Sequence, residues 1–349
     1  MVRTMLGAVL MLVALVLAPQ AQAASFDCAA ATTAFEHAIC DNPALSSADE
    51  TLAQAFATAT GGLSKPAVSN MRADQRAWLD FAARSCTDDA ELLPDDVRYD
   101  AEQVECLASA AAARISVLED SRMLGGHRFA LSSRFATLPD PDAANQPDYY
   151  WKVASHTVSF PQLEGDDGLA TSFNAFVDTA VTTLSGTLTD TDGDAPAADA
   201  QSDSDLTISP LEALPRRITL KAQSDWFGHG GAHGNGTVSY LHFLTDEGRA
   251  LEASDVFSGE GWAQKLLELS VAELKKEHGD WLMLDADQDI ADVVTQPDRW
   301  SFSSPYGLTI QFQPYEVAAY AYGAPTILIP WESLDGMTAP SLDTVRYGS

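Results

Sequence analysis

The stretch that most constrains this chain is Asp225–Gly236, DWFGHGGAHGNG, in which five of twelve residues are glycine and two are histidine. Before it, Arg217–Ser224 (RITLKAQS) alternates apolar and polar residues. After it, Thr237–Leu244 (TVSYLHFL) is rich in β-branched and aromatic residues. Two such runs around a glycine cluster predict a β-hairpin with a long glycine-rich tip. Glycine tolerates positive φ and lets other backbone come close, so Gly230, Gly231 and Gly234 give the tip shapes other residues cannot take. The tip is expected to be an exposed loop carrying the imidazoles of His229 and His233, with Asn235 at its base. Trp226 and Phe227 are expected to act as aromatic anchors.

The chain of 349 residues suggests two domains. It opens with one positive charge, an apolar run Leu6–Leu17 and Ala21-Gln22-Ala23. That pattern is a Sec signal peptide over residues 1–23, too short to remain as an anchor. Cys28 is not at the cleavage point, which argues against a lipoprotein. No later run reaches the ~18 apolar residues a membrane span needs, so none is expected. The mature chain is therefore expected in the periplasm or secreted.

All four cysteines fall in the first third. An even number in an exported chain argues for disulfides rather than metal or redox chemistry. Three pairings are open. Local pairing, Cys28–Cys40 and Cys86–Cys106, is preferred because each half lies beside a predicted helix end. The formal net charge is −30. A polyanion repels nucleic acid and anionic lipid and attracts basic proteins, so nucleic acid is excluded as a partner.

Thr33–Glu36 has capping-box form and opens a short helix broken at Asp41-Asn42-Pro43. Ser47–Glu50 has the same form and starts a second. Ser64-Lys65-Pro66 starts a third, with Val68, Met71, Trp78, Leu79 and Ala82 at helical spacing. Ala101–Arg122 reads as the last helix. Residues 24–122 are thus expected to be a small all-α domain stapled by two bridges. The residues Phe26-Asp27-Cys28, Thr33 to Glu36, Ala38-Ile39-Cys40, Asp74-Gln75-Arg76-Ala77-Trp78-Leu79, Arg84, Cys86, Cys106-Leu107 and Arg114-Ile115 carry a resemblance. The pattern resembles the N-terminal domain of the lysozyme inhibitor LprI family over about residues 25–120. Trp78 reads as core rather than as a ligand contact.

Residues 123–150 read as a linker or an irregular strand leading into the second half. A strand is expected over Tyr149–Leu163 and a helix over Ala170–Leu184. Residues 189–205 carry six aspartates and no base. An EF-type frame with Gly193 at position 6 puts Asp190 and Asp192 in place but Leu188 at position 1, so the segment reads as a disordered acidic loop. Further on, Gly261–Glu277 is an amphipathic helix, and Trp300–Phe302, Leu308–Phe312 and Thr326–Trp331 are the closing strands. Between the last two lies an aromatic, irregular stretch containing Tyr315 and Tyr320. The fold class is α+β: a disulfide-stapled helical part, then an α+β domain over 151–336 with a mainly antiparallel sheet, then a tail over 337–349.

Gly230-Gly231-Ala232-His233-Gly234, Tyr240 and Phe243, Leu251–Phe257, Phe312-Gln313-Pro314-Tyr315-Glu316-Val317 and Ile327–Trp331 carry a second resemblance. They resemble the C-terminal, lysozyme-binding domain of the RsiV family, which also occurs as an accessory module in some cell-wall deacetylases. The cover is about residues 150–335. The resemblance implies a binding protein whose partner is a basic lysozyme. The alternative is a peptidoglycan-binding accessory protein in which the Tyr315–Tyr322 segment stacks on sugar rings. His229 and His233 have H-x3-H spacing, but in a loop, and even with His242 no carboxylate sits at a diagnostic interval. No metal and no cofactor are expected. There is no G-x-S-x-G elbow and no phosphate loop, and the cysteines are assigned to bridges, so no catalytic residue is assigned.

Overall fold

The structure, a computed structural model, describes residues 24–146, 148–185, 199–283 and 290–348. The leader read at residues 1–23 and the calcium frame around Asp190, Asp192 and Gly193 lie outside these residues.

Four helices come first: α1 (Ala34–Asp41), α2 (Pro43–Thr60), α3 (Lys65–Ser85) and α4 (Ala101–Leu118). The Thr33–Glu36 capping box forms at α1, each side chain bonding the other's backbone N–H. The predicted start of α2 at Ser47 is corrected to Pro43. Proline at the first helical position brings a preset φ and lacks only an N–H that would be unpaired there, so the helix begins one residue after Asn42. Ser64 caps α3, and Asp100 with Gln103 forms a capping box on α4. Disulfides Cys28–Cys40 and Cys86–Cys106 tie the approach to α1 to its last turn, and the end of α3 to α4. Trp78 is buried with Met71, Leu52 and Leu118.

The stretch read as a linker or an irregular entry strand contains β1 (Met123–Leu124) and β2 (His127–Pro139), full members of a sheet. There follow β3 (Val153–Leu163), α5 (Gly168–Ser185), β4 (Ser202–Leu214), β5 (Arg217–Gly228), β6 (Asn235–Leu244) and β7 (Arg249–Ala250). The seven strands lie in sequence order, and all neighbours are antiparallel except β3 and β4, which are parallel with α5 between them in the chain. On one face α5 buries Phe173, Val177 and Val181 against Phe160, Ile208, Leu220 and Phe243. Each such side chain contributes about 1.5–3 kcal/mol.

The remaining chain forms α6 (Ala253–Val256), α7 (Trp262–His278), α8 (Ala291–Val294), a three-stranded antiparallel sheet of β8 (Trp300–Ser301), β9 (Gly307–Gln311) and β10 (Thr326–Pro330), and α9 (Leu342–Tyr347). Its core holds Leu266, Leu274, Trp300, Ile310 and Ile329, and α9 adds Leu342 and Val345 to it. The chain is therefore α+β, helical first and then mainly antiparallel.

Two layers cover the other face of the seven-stranded sheet. The helices dock at β2: Arg114 donates to Ser133 Oγ (2.8 Å) and to Gln75 Oε1 (3.0 Å), and Asp74 accepts from the Ser133 N–H (2.9 Å). Burial holds the Arg114 guanidinium down to about 10, with Asp74 opposing the shift. The C-terminal layer docks at β5 and β6, where His242 donates to the Trp300 carbonyl and Gln313 bonds both backbone groups of Val238. Cross-strand partners share a face. The register Ser133↔Ser159, Thr157↔Asp205 and Asp225↔Gly236 therefore puts both layers on one side. Beside the C-terminal layer a valley runs over β3, β4 and β5.

Candidate functional site

The predicted hairpin forms, but its strands run into the glycine cluster. The register continues through Asp225↔Gly236 and Trp226↔Asn235, so the tip is six residues, 229–234, rather than twelve. Gly230 takes a left-handed φ of 77°. At Gly234 an added Cβ would meet the Trp226 carbonyl oxygen at 2.7 Å, so the return strand closes only without a side chain there. Gly231 and Asn235 are exposed.

Trp226 and Phe227, expected as aromatic anchors, both border the hollow over β4 and β5 but differ in orientation. Adjacent strand residues point to opposite faces. Trp226 is half exposed, with its ring lying back over Gly228. Phe227 turns to the valley side and packs against Trp151, ring centres 6.0 Å apart.

His233 is exposed and meets the Pro-Tyr-Glu segment, 82 residues away in sequence. Its ring stacks on Tyr320 at 4.0 Å between centres and 20° between planes. Nδ1 lies 2.8 Å from the Gly234 carbonyl, which only accepts, so Nδ1 carries a hydrogen. In the neutral ring Nε2 then accepts from the Tyr315 hydroxyl at 3.1 Å. Tyr315 is 60% exposed and, alone with Ala90 among described non-glycine residues, has positive φ, 71°. Such a conformation costs about 1–3 kcal/mol and persists only where the surroundings enforce it. Here Glu316 does so, accepting from the Gln313 N–H (2.6 Å) and, through both oxygens, from Arg299. His233, Tyr315 and Tyr320 thus form one preset aromatic knob.

The reading of His229 as a second exposed imidazole is corrected. Its side chain is fully buried, Nδ1 donating to Asp140 Oδ2 at 2.5 Å and the ring stacked with Trp151. Strand alternation turns it to the valley face, where it clamps the hairpin to the segment around Asp140. Nε2 has no hydrogen bond and faces Asp203 Oδ2 at 3.4 Å. His242 belongs to neither group. It accepts from Thr219 and donates to Trp300 in the core, where burial and then Arg217 push it down to about 3. Among the described residues no cluster of three or more metal-ligating side chains is placed to hold an ion.

Sequence reasoning missed the valley. Its lining includes Thr157, Asp203, Asp205, Asp225, Phe227 and Tyr320 around about 370 Å³. Asp203 and Asp205, assigned to the acidic loop, stand instead on β4. Asp205 is Cα partner to Asp225, two carboxylates opposite one another, and accepts from Thr157 and Thr207. Burial raises the Asp205 carboxyl above the usual range, the two threonines oppose this, and Asp225 adds to it. The available signal was the alternation in Asp203–Ser209 (DSDLTIS), which marks a half-buried strand.

Residues 27–118 match the family described as Lysozyme inhibitor LprI. Residues 254–332, which include Tyr315 and Tyr320 but not the hairpin, match the family described as Protein of unknown function (DUF3298). Among solved structures, a DUF3298 family member from Bacteroides fragilis is similar at 14% identity over 63% of this chain and 96% of that one, with a TM-score of 0.46. A DUF3298 family protein from Pseudomonas aeruginosa is similar at 17% identity over 64% of this chain and 98% of that one, with a TM-score of 0.43. Comparison with curated proteins gives no match.

Proposed function

We propose that this chain is an exported lysozyme-binding protein of the inhibitor type, and that it acts by contact rather than catalysis. The observation that carries the reading is the exposed His233–Tyr315–Tyr320 knob, in a chain whose first part matches a lysozyme inhibitor family. The resemblance of the second half to the RsiV lysozyme-binding domain supports the same partner. In this reading the helical domain spans residues 24–122, and the partner-binding domain spans 151–336 together with the strand β2.

Lysozymes work through one protonated and one ionised carboxylate in a cleft. The knob enters that cleft. On engagement the Tyr315 hydroxyl turns from His233 Nε2 to donate to the ionised carboxylate, while the His233 Nδ1–H bond to the Gly234 carbonyl keeps the imidazole in place beside it. A charge-assisted bond of this kind contributes about 1.5–3 kcal/mol. Little ordering entropy is lost, because Tyr315 is held in place before the partner arrives. Gly230, Gly231 and Gly234 keep the tip narrow, and His229 supports it from beneath without touching the partner.

The test is inhibition of a basic lysozyme by the mature protein and by the His233→Ala and Tyr315→Ala variants. Each variant is expected to inhibit about tenfold less well. Full inhibition by both would contradict the assignment of the knob. Binding to purified peptidoglycan with no lysozyme binding would favour the glycan reading, in which Tyr315 and Tyr320 stack on sugar rings.

A further inference from the structure

The valley beside the knob has features that the contact just described leaves unused. Three carboxylates, Asp203, Asp205 and Asp225, share one strand face, and among the described residues no lysine or arginine lines the valley. The register row Thr157–Asp205–Asp225–Gly236 crosses four strands and sets two acids directly opposite. Like charges so placed destabilise a sheet. A second, separate observation comes from His229. This fully buried side chain turns an Nε2 with no hydrogen-bond partner toward Asp203 at the valley's end. Aromatic rings border the acids, with Phe227 beside Asp203 at the Trp151 end and Tyr320 shared with the knob.

We infer that the valley seats the guanidinium of an arginine presented by the partner protein. Guanidinium is planar, always charged and weakly hydrated. It donates in its plane to carboxylates while its faces stack on aromatic rings. Carboxylates with aromatic rings beside them meet both requirements. An ammonium would use the acids but gain less from the rings. Burial, and after it the neighbouring Asp225, raise the Asp205 carboxyl, and a cation seated beside the two acids would oppose both. Because Tyr320 belongs to both features, one partner engages the knob and the valley together. The inference takes the lysozyme reading as the source of the arginine, and the chemistry of the seat stands apart from it.

The experiment titrates the mature chain with two probes, a basic lysozyme and an octa-arginine peptide, and compares wild type with Asp205→Asn, Asp225→Asn and Tyr320→Leu. Each variant is expected to bind both probes about tenfold more weakly. The two Asn variants are also expected to melt no lower than wild type, because the like-charge opposition is relieved. An Asn variant that melts lower is set aside, and the other Asn variant and Tyr320→Leu decide. Unchanged affinity of those variants for octa-arginine overturns the inference. If the lysozyme is silent with wild type but octa-arginine binding depends on the aspartates, the functional reading fails and the guanidinium seat stands.

Discussion

Tyr315 is the residue at which backbone preference and the proposed function pull against each other. Its left-handed φ of 71° suits glycine, yet a phenol occupies the position and reaches His233. Replacement by glycine removes strain as well as the knob's hydroxyl. Tyr315→Gly is therefore expected to hold or raise stability by about 1 kcal/mol in urea denaturation while inhibiting lysozyme less well. A clear loss of stability would show that the side chain serves the fold instead. His229 carries the opposite expectation. Its removal leaves the Asp140 carboxylate buried without its imidazole partner, though the Asp142 N–H still donates to it. Breaking a buried pair from one side costs about 3 kcal/mol or more. His229→Ala should therefore unfold at distinctly lower urea, whereas His233→Ala, altered on an exposed surface, should shift little.

Between elements, β4 decides both the fold and the site. Asp205 has its carboxyl raised on folding, so the folded state holds its proton more tightly than the unfolded chain does. The stability this brings is complete below the ordinary carboxylate range and is lost as pH rises through the raised value. Asp205→Asn should therefore stabilise the protein more at pH 7 than at pH 4. Equal shifts at the two pH values would contradict the assignment. The helices, the hairpin and the closing strands were legible because their apolar periodicities and caps are local. The Thr33–Glu36 box, the Ser64 start and the β5–β6 alternation each forecast what forms. β4 was not legible, because acidic and serine residues at its start read as solvated loop and Pro210 reads as a breaker. A register shift between Pro210 and Glu212 accommodates that proline. The knob was half legible. Both of its segments stood out, but their meeting depends on packing between β6 and Gln313, which no local pattern records.

At the scale of the whole molecule, charge and cross-links set the conditions under which the site works. Among the described residues no helix is long and apolar enough to cross a membrane. Reducing the two disulfides, which close loops of 12 and 20 residues, should lower the helical part's stability by about 2–3 kcal/mol per bridge on the chain-entropy model. The helices are docked on β2 through Arg114 and Asp74, so that loss should spread to the sheet rather than leave it unmoved. The net charge of −30 should speed encounter with a cationic partner at low ionic strength. Calorimetric titration of the oxidised mature chain with a basic lysozyme, at low and at high salt, tests the central claim most directly. The account predicts a saturable one-site isotherm that weakens with salt and is diminished by Tyr315→Ala. Absence of heat at every salt concentration, or binding untouched by that substitution, would contradict it.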